Sequence, residues 1–574
     1  MSLLLLSILG LRLFYLQVLS WETYLGKSDD KRIKRQIIEA PRGYIYDRNG
    51  IVLAENRMSY AITIDPFERK RFDETVPRLA RFIKEDPEEL RLTVASITRG
   101  TNNPQKLVRD ADFRMLSLVE ENMLELPGVG SVFDQRRNYP QGPLACHVMG
   151  YMGELSSDEY NALKEQGYYY GQSIGRDGIE KKYEHMLKGI NGAKFEERNY
   201  MNRVLGTSHE YDPDPPTPGN NVTLTLDARL QTVVEEAFGD TLLGSLVALN
   251  PNTGEILVMA SSPRYDPNDF ATVMSSEKYR AIINDPDKPM FNRSIQATYP
   301  PGSTFKMLTA IAGLENGYTE KSKFKSCNGG YYFGRLYKCW KRGGHGSLDM
   351  VGAITNSCNV YFYQLGRKVG LDAWHDTVAK FGFGEKTSID LYWEEAGTCP
   401  GQDYYDRMGV AFSPGMILNL AIGQGETLVT VLQLARYTGI IATKGMKTTP
   451  HLNMDEYYET GRIEGIAEHS YEVTREGMRG VVNRPDGTAK SARVADHVIS
   501  GKTGTAQNPH GADHKIFVGF APYDHPMIAV ACVAENAGDY TGSMAVKISQ
   551  MLLEEYFRYY PDPDAESETT VAAK

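Results

Sequence analysis

The segment Tyr211-Asp-Pro-Asp-Pro-Pro-Thr-Pro-Gly219 places four prolines in nine residues. Proline lacks a backbone N–H and has a fixed φ, so neither a helix nor an interior strand can run through it. A chain of 574 residues is too long for one domain, and this segment is the clearest place to divide it. Beyond it, Thr223-Leu-Thr-Leu-Asp227-Ala-Arg229-Leu-Gln231 opens a strand and a helix. Residues 245–250 and 255–261, joined by Pro251-Asn-Thr-Gly254, read as a hairpin of a sheet. Before it, residues 21–60 lead into strands around Ile37-Ile38. Residues 66–135 are charged and helical in pattern, as at 74–85 and 113–126, and glycines and tyrosines dominate 139–175. The acidic, small residues 561–574 are expected to be a disordered tail. No internal repeat is visible.

The chemistry concentrates after the divide. Ser303-Thr-Phe-Lys306 follows Tyr299-Pro-Pro-Gly302 and opens an apolar run that Gly317 can end. Ser-x-x-Lys recurs at 28–31, 275–278 and 322–325, but only the 303 copy starts a helix after a proline–glycine stop. Serine and lysine at i, i+3 share a helix face. A lysine whose pKa is lowered by burial or by another cation can take the hydroxyl proton, and the helix N-terminus favours a developing oxyanion. Ser357-Cys358-Asn359 lies 54 residues further on, and Lys502-Thr503-Gly504-Thr505 another 145 beyond that. The former offers a hydroxyl and an amide. The latter offers a cation, hydroxyls for a carboxylate, and a glycine that lets a substrate backbone lie close. Ser326-Cys-Asn328 repeats the letters of the second motif but precedes a Gly-Gly turn. An apolar-aromatic helical run, Val360-Tyr-Phe-Tyr-Gln-Leu365, follows the 357 copy. Alternating segments at 515–521 and 527–534 put Lys-Thr-Gly next to strands.

On these motifs the chain resembles the penicillin-binding protein and serine β-lactamase superfamily, and within it the class B, penicillin-binding-protein-2 type of elongation transpeptidase. Gly423-Gln-Gly425 and Gly501-Lys-Thr-Gly-Thr-Ala-Gln507 look like its catalytic half. Arg42-Gly-Tyr-Ile-Tyr-Asp-Arg-Asn-Gly50 and Gly175-Arg-Asp-Gly-Ile-Glu180 look like its non-catalytic pedestal. The resemblance implies an α+β chain of four parts: a transmembrane anchor (1–20), an elongated pedestal of the dimerisation type (21–210), a transpeptidase domain with a central antiparallel sheet covered by helices (211–560), and the tail (561–574). It implies that Ser303 is acylated by a D-Ala-D-Ala stem peptide of peptidoglycan, or by a β-lactam, with Lys306 as base. Ser357 and Lys502 would relay the proton. Asn359 would hold the donor, Thr503 and Thr505 its carboxylate, and Gly504 would let it lie close. The oxyanion would sit between the N–H groups of Ser303 and Thr505. Partners implied are a glycan polymerase of the RodA type and other elongation-complex proteins, at the extracytoplasmic face of a bacterial inner membrane. The rival readings are a β-lactamase, for which no Glu-x-x-Leu-Asn is present to position deacylating water, and a penicillin-binding sensor, which would carry several spans and an effector domain. A glycosyltransferase module is not expected, because the residues before 211 lack that family's acidic motif.

Three of the six cysteines fall between the first two motifs, near a histidine: Cys327, Cys339, His345 and Cys358. A Cys₃His set suits a closed tetrahedral zinc site. A Cys327–Cys339 disulfide, or buried free thiols, are the alternatives. The resemblance favours a structural zinc, since some enzymes of this type place a ligand at the middle position of Ser-x-Asx, here Cys358, and His345 matches the family histidine. Cys146, Cys399 and Cys532 are expected in the core. His510-Gly-Ala-Asp513-His514 is expected to be a rim loop.

Residues 2–19 are the one membrane-grade stretch, barely long enough to span and weakened by Arg12 and Gln17. No small-x-small cleavage site follows, so an uncleaved anchor is expected rather than a signal peptide; a buried apolar helix is the bland alternative. Lys27, Lys31, Arg32, Lys34 and Arg35 come after the apolar run, against the positive-inside rule. Residues preceding Met1 are therefore expected. A composition of 41% hydrophobic and 24% charged residues is that of a globular chain, and a net charge of −10 argues against nucleic-acid binding.

Overall fold

The computed structural model describes residues 2–20, 33–99, 104–198, 204–208, 211–239, 241–271, 274, 276–508, 511–538 and 544–562. The tail from 563 onward and most of the basic cluster at 27–35 lie outside the described residues.

A five-stranded antiparallel sheet centres the C-terminal half, in the order Ile256–Ser262, Gly244–Leu249, Ile528–Ala534, His514–Ala521, Ser500–Ala506. Every residue of the first three strands is buried. Both faces are therefore covered, which is why these strands read as near-continuous apolar runs. Helices Ala228–Phe238 and Met544–Tyr559 pack on each other and on the sheet, as does Val431–Ala442. The hairpin expected from the sequence forms, with Gly244–Leu249 paired to Ile256–Ser262. Ser500–Ala506, which carries Lys-Thr-Gly, is an edge strand with one neighbour.

The N-terminal half has its own small core, where Ile62, Ile64, Val76, Leu79, Leu90 and Val119 meet. The helical pattern of 66–135 is partly realised, as Phe72–Ile83, Pro87–Ile97 and Phe113–Glu121. The same stretch also contains strands Gln105–Ala111 and Val129–Asn138, which flank Val52–Ile64. Their charge hid them, because Asp134, Arg136 and Arg137 are buried strand residues and leave no simple apolar alternation to read.

The two halves are stitched rather than merely joined. The N–H groups left between the prolines pair back onto the pedestal: Asp214 exchanges two 2.8 Å hydrogen bonds with Ala193, and Thr217 two of 2.9 Å with Ile190. Val222–Thr223 runs parallel to Ile45–Tyr46. At Gly43 a Cβ would stand 1.8 Å from the Asn220 carbonyl oxygen, so only glycine lets these segments cross. Beneath this crossing Glu180, fully buried, accepts from Arg42 (2.7 Å) and Arg137 (2.6 Å). Asp47, also fully buried, accepts from the backbone N–H of Ala228 at the start of a catalytic-half helix. The motifs around 42–50 and 175–180 are thus two sides of one joint.

At the N-terminus, Ser2–Phe14 is a 13-residue α-helix that continues into a π-helical segment, Tyr15–Leu19, and no described helix is long and apolar enough to cross a membrane. The stretch expected to be one membrane-spanning helix is instead divided into these two shorter helical segments. Leu6, Leu9, Leu11, Leu13 and Leu19 of this stretch are exposed.

Candidate active site

Gly302–Phe305 forms a 3₁₀ turn that feeds the helix Lys306–Glu315. Ser303 and Lys306 lie one turn apart at its start, as the spacing requires. Gly302 has φ +58°, and a Cβ there would lie 2.5 Å from the Thr505 carbonyl oxygen and 3.2 Å from the Thr505 nitrogen. Behind it, Gly423 accepts from the Gly302 N–H at 2.8 Å, and Gln424 donates to the Thr505 carbonyl at 3.0 Å. The Gly-Gln-Gly segment therefore clamps the nucleophile turn against the Lys-Thr-Gly strand. Gly504 completes the contact, since a Cβ would come within 3.0 Å of both the Pro301 oxygen and Thr304.

Ser357-Cys358-Asn359 turns the chain between helices Met350–Thr355 and Asn359–Val369. The turn is tight enough that Ser357 adopts φ +53°, an unusual conformation for a side-chain-bearing residue. It is held by the Ser357 and Cys358 N–H groups, which donate to Ile354 and Ala353. Strain of this kind persists where the surroundings over-determine it.

These elements converge on two buried lysines. The Lys306 ammonium donates to the Ser357 carbonyl (2.8 Å), Ser357 Oγ (3.1 Å) and Asn359 Oδ1 (2.6 Å). Lys502 donates to the same Ser357 Oγ at 2.9 Å and to the Thr503 carbonyl at 2.9 Å. Both lysines are fully buried. Burial brings Lys306 down to about 8, against the pull of the nearby Cys358 and Cys339. Burial, and next the charge of Lys306, hold Lys502 well below the usual lysine range. Thr503 Oγ1 lies 3.1 Å from Thr488 Oγ1, and Thr505 is exposed on the strand. Lys306, Ser357, Asn359 and Lys502 thus meet directly, and the turn that carries Ser303 is set against the strand that carries Thr503, Gly504 and Thr505. Thr488 was missed, and the supporting contacts of Gly302 and Gln424, though their motifs were noted, were not foreseen, because no local pattern records such contacts.

Cys327, Cys339, His345 and Cys358 also meet, with their ligand atoms all within 4.8 Å of one another, and this is the one such cluster among the described residues. His345 Nδ1 is 3.7 Å from Cys327 Sγ and 3.6 Å from Cys339 Sγ. A tetrahedral zinc with ordinary bond lengths separates sulfur and nitrogen ligands by about 3.6 Å. The described cysteines are all free. The mutual hydrogen bond of Cys339 and Cys358 draws the Cys339 thiol down and pushes the Cys358 thiol up. Local folding builds the pocket: Cys327 exchanges hydrogen bonds of 2.8 and 3.0 Å with Gly346, and Cys339 follows the hairpin Gly330–Phe333/Arg335–Lys338. Cys146 and Cys532 are buried core residues as expected, whereas Cys399 is partly exposed, 3.6 Å from His375 Nδ1. His510 lies outside the described residues, and His514 begins a sheet strand.

Comparison with known proteins agrees with this geometry. The family described as "Penicillin binding protein transpeptidase domain" matches residues 244–554, and "Penicillin-binding Protein dimerisation domain" matches 37–224. The peptidoglycan D,D-transpeptidase MrdA of Escherichia coli K12 is 33% identical over 93% of this chain and 90% of its own length. Its Acinetobacter baumannii counterpart is 32% identical over 94% and 84%. Among solved structures, the complex of penicillin-binding protein PBP2 with MreC from Helicobacter pylori superposes with a TM-score of 0.83 at 30% identity, covering 92% of this chain and all of that one. A peptidoglycan synthase complex, solved for its coordination of polymerisation and crosslinking, gives a TM-score of 0.73 at 29% identity over 97% of both chains. The chain therefore belongs to the penicillin-binding protein transpeptidase family, of the PBP2 type.

Proposed function

We propose that the protein is a peptidoglycan D,D-transpeptidase that cross-links stem peptides through a Ser303 acyl-enzyme during cell elongation and maintenance of rod shape, and that β-lactams acylate the same serine. The observation that carries this reading is Ser357 Oγ, within hydrogen-bond reach of Lys306 on one side and Lys502 on the other. Neutral Lys306 accepts the Ser303 proton as Oγ attacks the carbonyl carbon of the penultimate D-Ala. The oxyanion forms beside the Ser303 and Thr505 N–H groups. Ser357 and Lys502 deliver a proton to the departing D-Ala nitrogen as the peptide bond breaks. An amine from a second stem then attacks the ester carbonyl, gives up its proton by the same route, and releases Ser303. The donor lies extended along the free edge of Ser500–Ala506, beside Gly504, with Asn359 on its peptide bond and the Thr503 and Thr505 hydroxyls on its carboxylate.

Labelling with a fluorescent penicillin tests this assignment. Wild-type protein gives a long-lived adduct and Ser303→Ala gives none. Rapid turnover would instead favour a β-lactamase, and a labelled Ser303→Ala protein would remove Ser303 from its role.

Cys327, Cys339, His345 and Cys358 would hold a structural zinc, which ties the loop 327–346 to the Ser357 turn and takes no part in bond making. The convergence of three thiols and one imidazole within 4.8 Å supports it. Metal analysis should find one zinc per chain, lost in Cys358→Ser. Residues 2–19, where Leu6, Leu9, Leu11, Leu13 and Leu19 are exposed, would seat the chain in the inner membrane with the catalytic half outside the cytoplasm. The pedestal would contact a glycan polymerase of the RodA type and other elongation proteins. Association unchanged after deletion of 66–135 would dismiss that role.

A further inference from the structure

One residue joins the cysteine–histidine cluster to the proton relay. Trp340 follows Cys339 directly, and its ring centroid is 5.2 Å from that of His345. Its indole Nε1–H is shared between the Asn356 and Ser357 carbonyl oxygens, each 3.1 Å away. The Ser357 carbonyl is also the one that accepts from Lys306 at 2.8 Å. Trp340 therefore grips the left-handed residue of the turn from the solvent side, while Lys306 grips the same oxygen from within. The rest of the indole is in the open, the residue being 57% exposed, so core packing does not account for its placement. A carbonyl held by two donors from different directions keeps its peptide in place, and any shift of that peptide carries the Ser357 Cα, and with it Oγ, relative to the two lysines.

We propose that Trp340 is a positioning residue for the transpeptidase reaction: through its N–H it locks the Ser357 peptide, so that Ser357 Oγ stays between Lys306 and Lys502. The proposal rests on the transpeptidase reading of this cleft. It assigns the loop 327–346 a part in the rate of proton transfer as well as in folding.

The test is stopped-flow acylation of the full-length protein by a fluorescent penicillin, which separates the dissociation constant of the initial complex from the first-order acylation constant. Trp340→Phe keeps the ring beside His345 and removes the donor. It is expected to lower the acylation constant about tenfold, the loss of one well-placed hydrogen bond, with the dissociation constant, melting temperature and metal content unchanged. Trp340→His restores a ring N–H and should recover most of the rate. Trp340→Phe acylating at the wild-type rate, or Trp340→His as slow as Trp340→Phe, would overturn the proposal. So would a loss confined to the dissociation constant or accompanied by loss of metal. Ser303→Ala runs alongside: labelling of that variant would instead overturn the parent assignment of the nucleophile.

Discussion

Adding one methyl group at Gly302 should disable the enzyme while leaving it folded. The Cβ of Gly302→Ala would stand 2.5 Å from the Thr505 carbonyl oxygen, where ordinary contact begins at 3.4 Å, so the nucleophile turn and the Lys-Thr-Gly strand must part by about 0.9 Å. The backbone offers no easy relief, because φ is +58° and alanine in that region costs roughly 1–2 kcal/mol. The movement cannot be absorbed behind the turn either, since Gly423 presses on it from the other side: its own Cβ would lie 2.2 Å from the Gly302 oxygen. The expected loss of stability is modest, about 1–3 kcal/mol, typical of overpacking. The expected loss of function is larger. A displacement near 1 Å between reacting groups costs about 100-fold in rate, and it falls here between Ser303 and the Thr505 N–H. Acylation by a fluorescent penicillin, followed with a thermal melt on the same sample, measures both. A folded Gly302→Ala protein acylating within about threefold of wild type would show that the turn and strand need no such close approach, and the geometric argument for the oxyanion site would fail.

Three further outcomes follow from the same structure. Lys306, brought down to about 8 by burial, acts as a base only when unprotonated, so the first-order acylation constant should fall with decreasing pH below about 8 and level off above it; a flat profile between pH 6 and 9 would exclude Lys306 as the base. Glu180→Gln leaves the buried Arg137 without its carboxylate and Arg42 with Glu184 alone, which should cost roughly 3 kcal/mol, read as a lower urea midpoint with the acylation rate of the still-folded protein unchanged. Asn359→Ala removes the Oδ1 acceptor 2.6 Å from Lys306 as well as the donor-holding amide, so the rate of acylation should drop by at least about tenfold, with the melting temperature little altered.

How much was legible from sequence depended on the reach of each signal. The nucleophile helix, the helix after Ser357 and the strands flanking Lys502 were all readable, because each rests on a local run of apolar residues punctuated by proline or glycine. The strands Gln105–Ala111 and Val129–Asn138 were not, because burying Asp134, Arg136 and Arg137 erases the alternation on which strand reading relies. The proline-rich segment was recognised as a break in regular structure, but its pairing with Ala193 and Ile190 was not, since no local rule says where an unpaired N–H will find an acceptor. The contacts of Gly302, Gly423 and Trp340 escaped for a related reason: they are made to atoms more than a hundred residues away, or across a loop.

The order Ser303-Thr-Phe-Lys306, Ser357-Cys-Asn359, Lys502-Thr-Gly504 is enough to point to the chemical class of this protein, because the residues proposed as nucleophile, base, relay and substrate strand are each written in adjacent letters. What the letters leave open is whether those groups can act together. That depends on two ammonium groups being buried around one hydroxyl, on a serine forced to positive φ, and on four sulfur and nitrogen atoms brought within 4.8 Å. Local sequence sets the preference of each segment for its own conformation. The distances between segments, and with them the depressed lysine pKa values and the shared carbonyl of Ser357, arise only when the sheet, the helices and the loop 327–346 pack into one body.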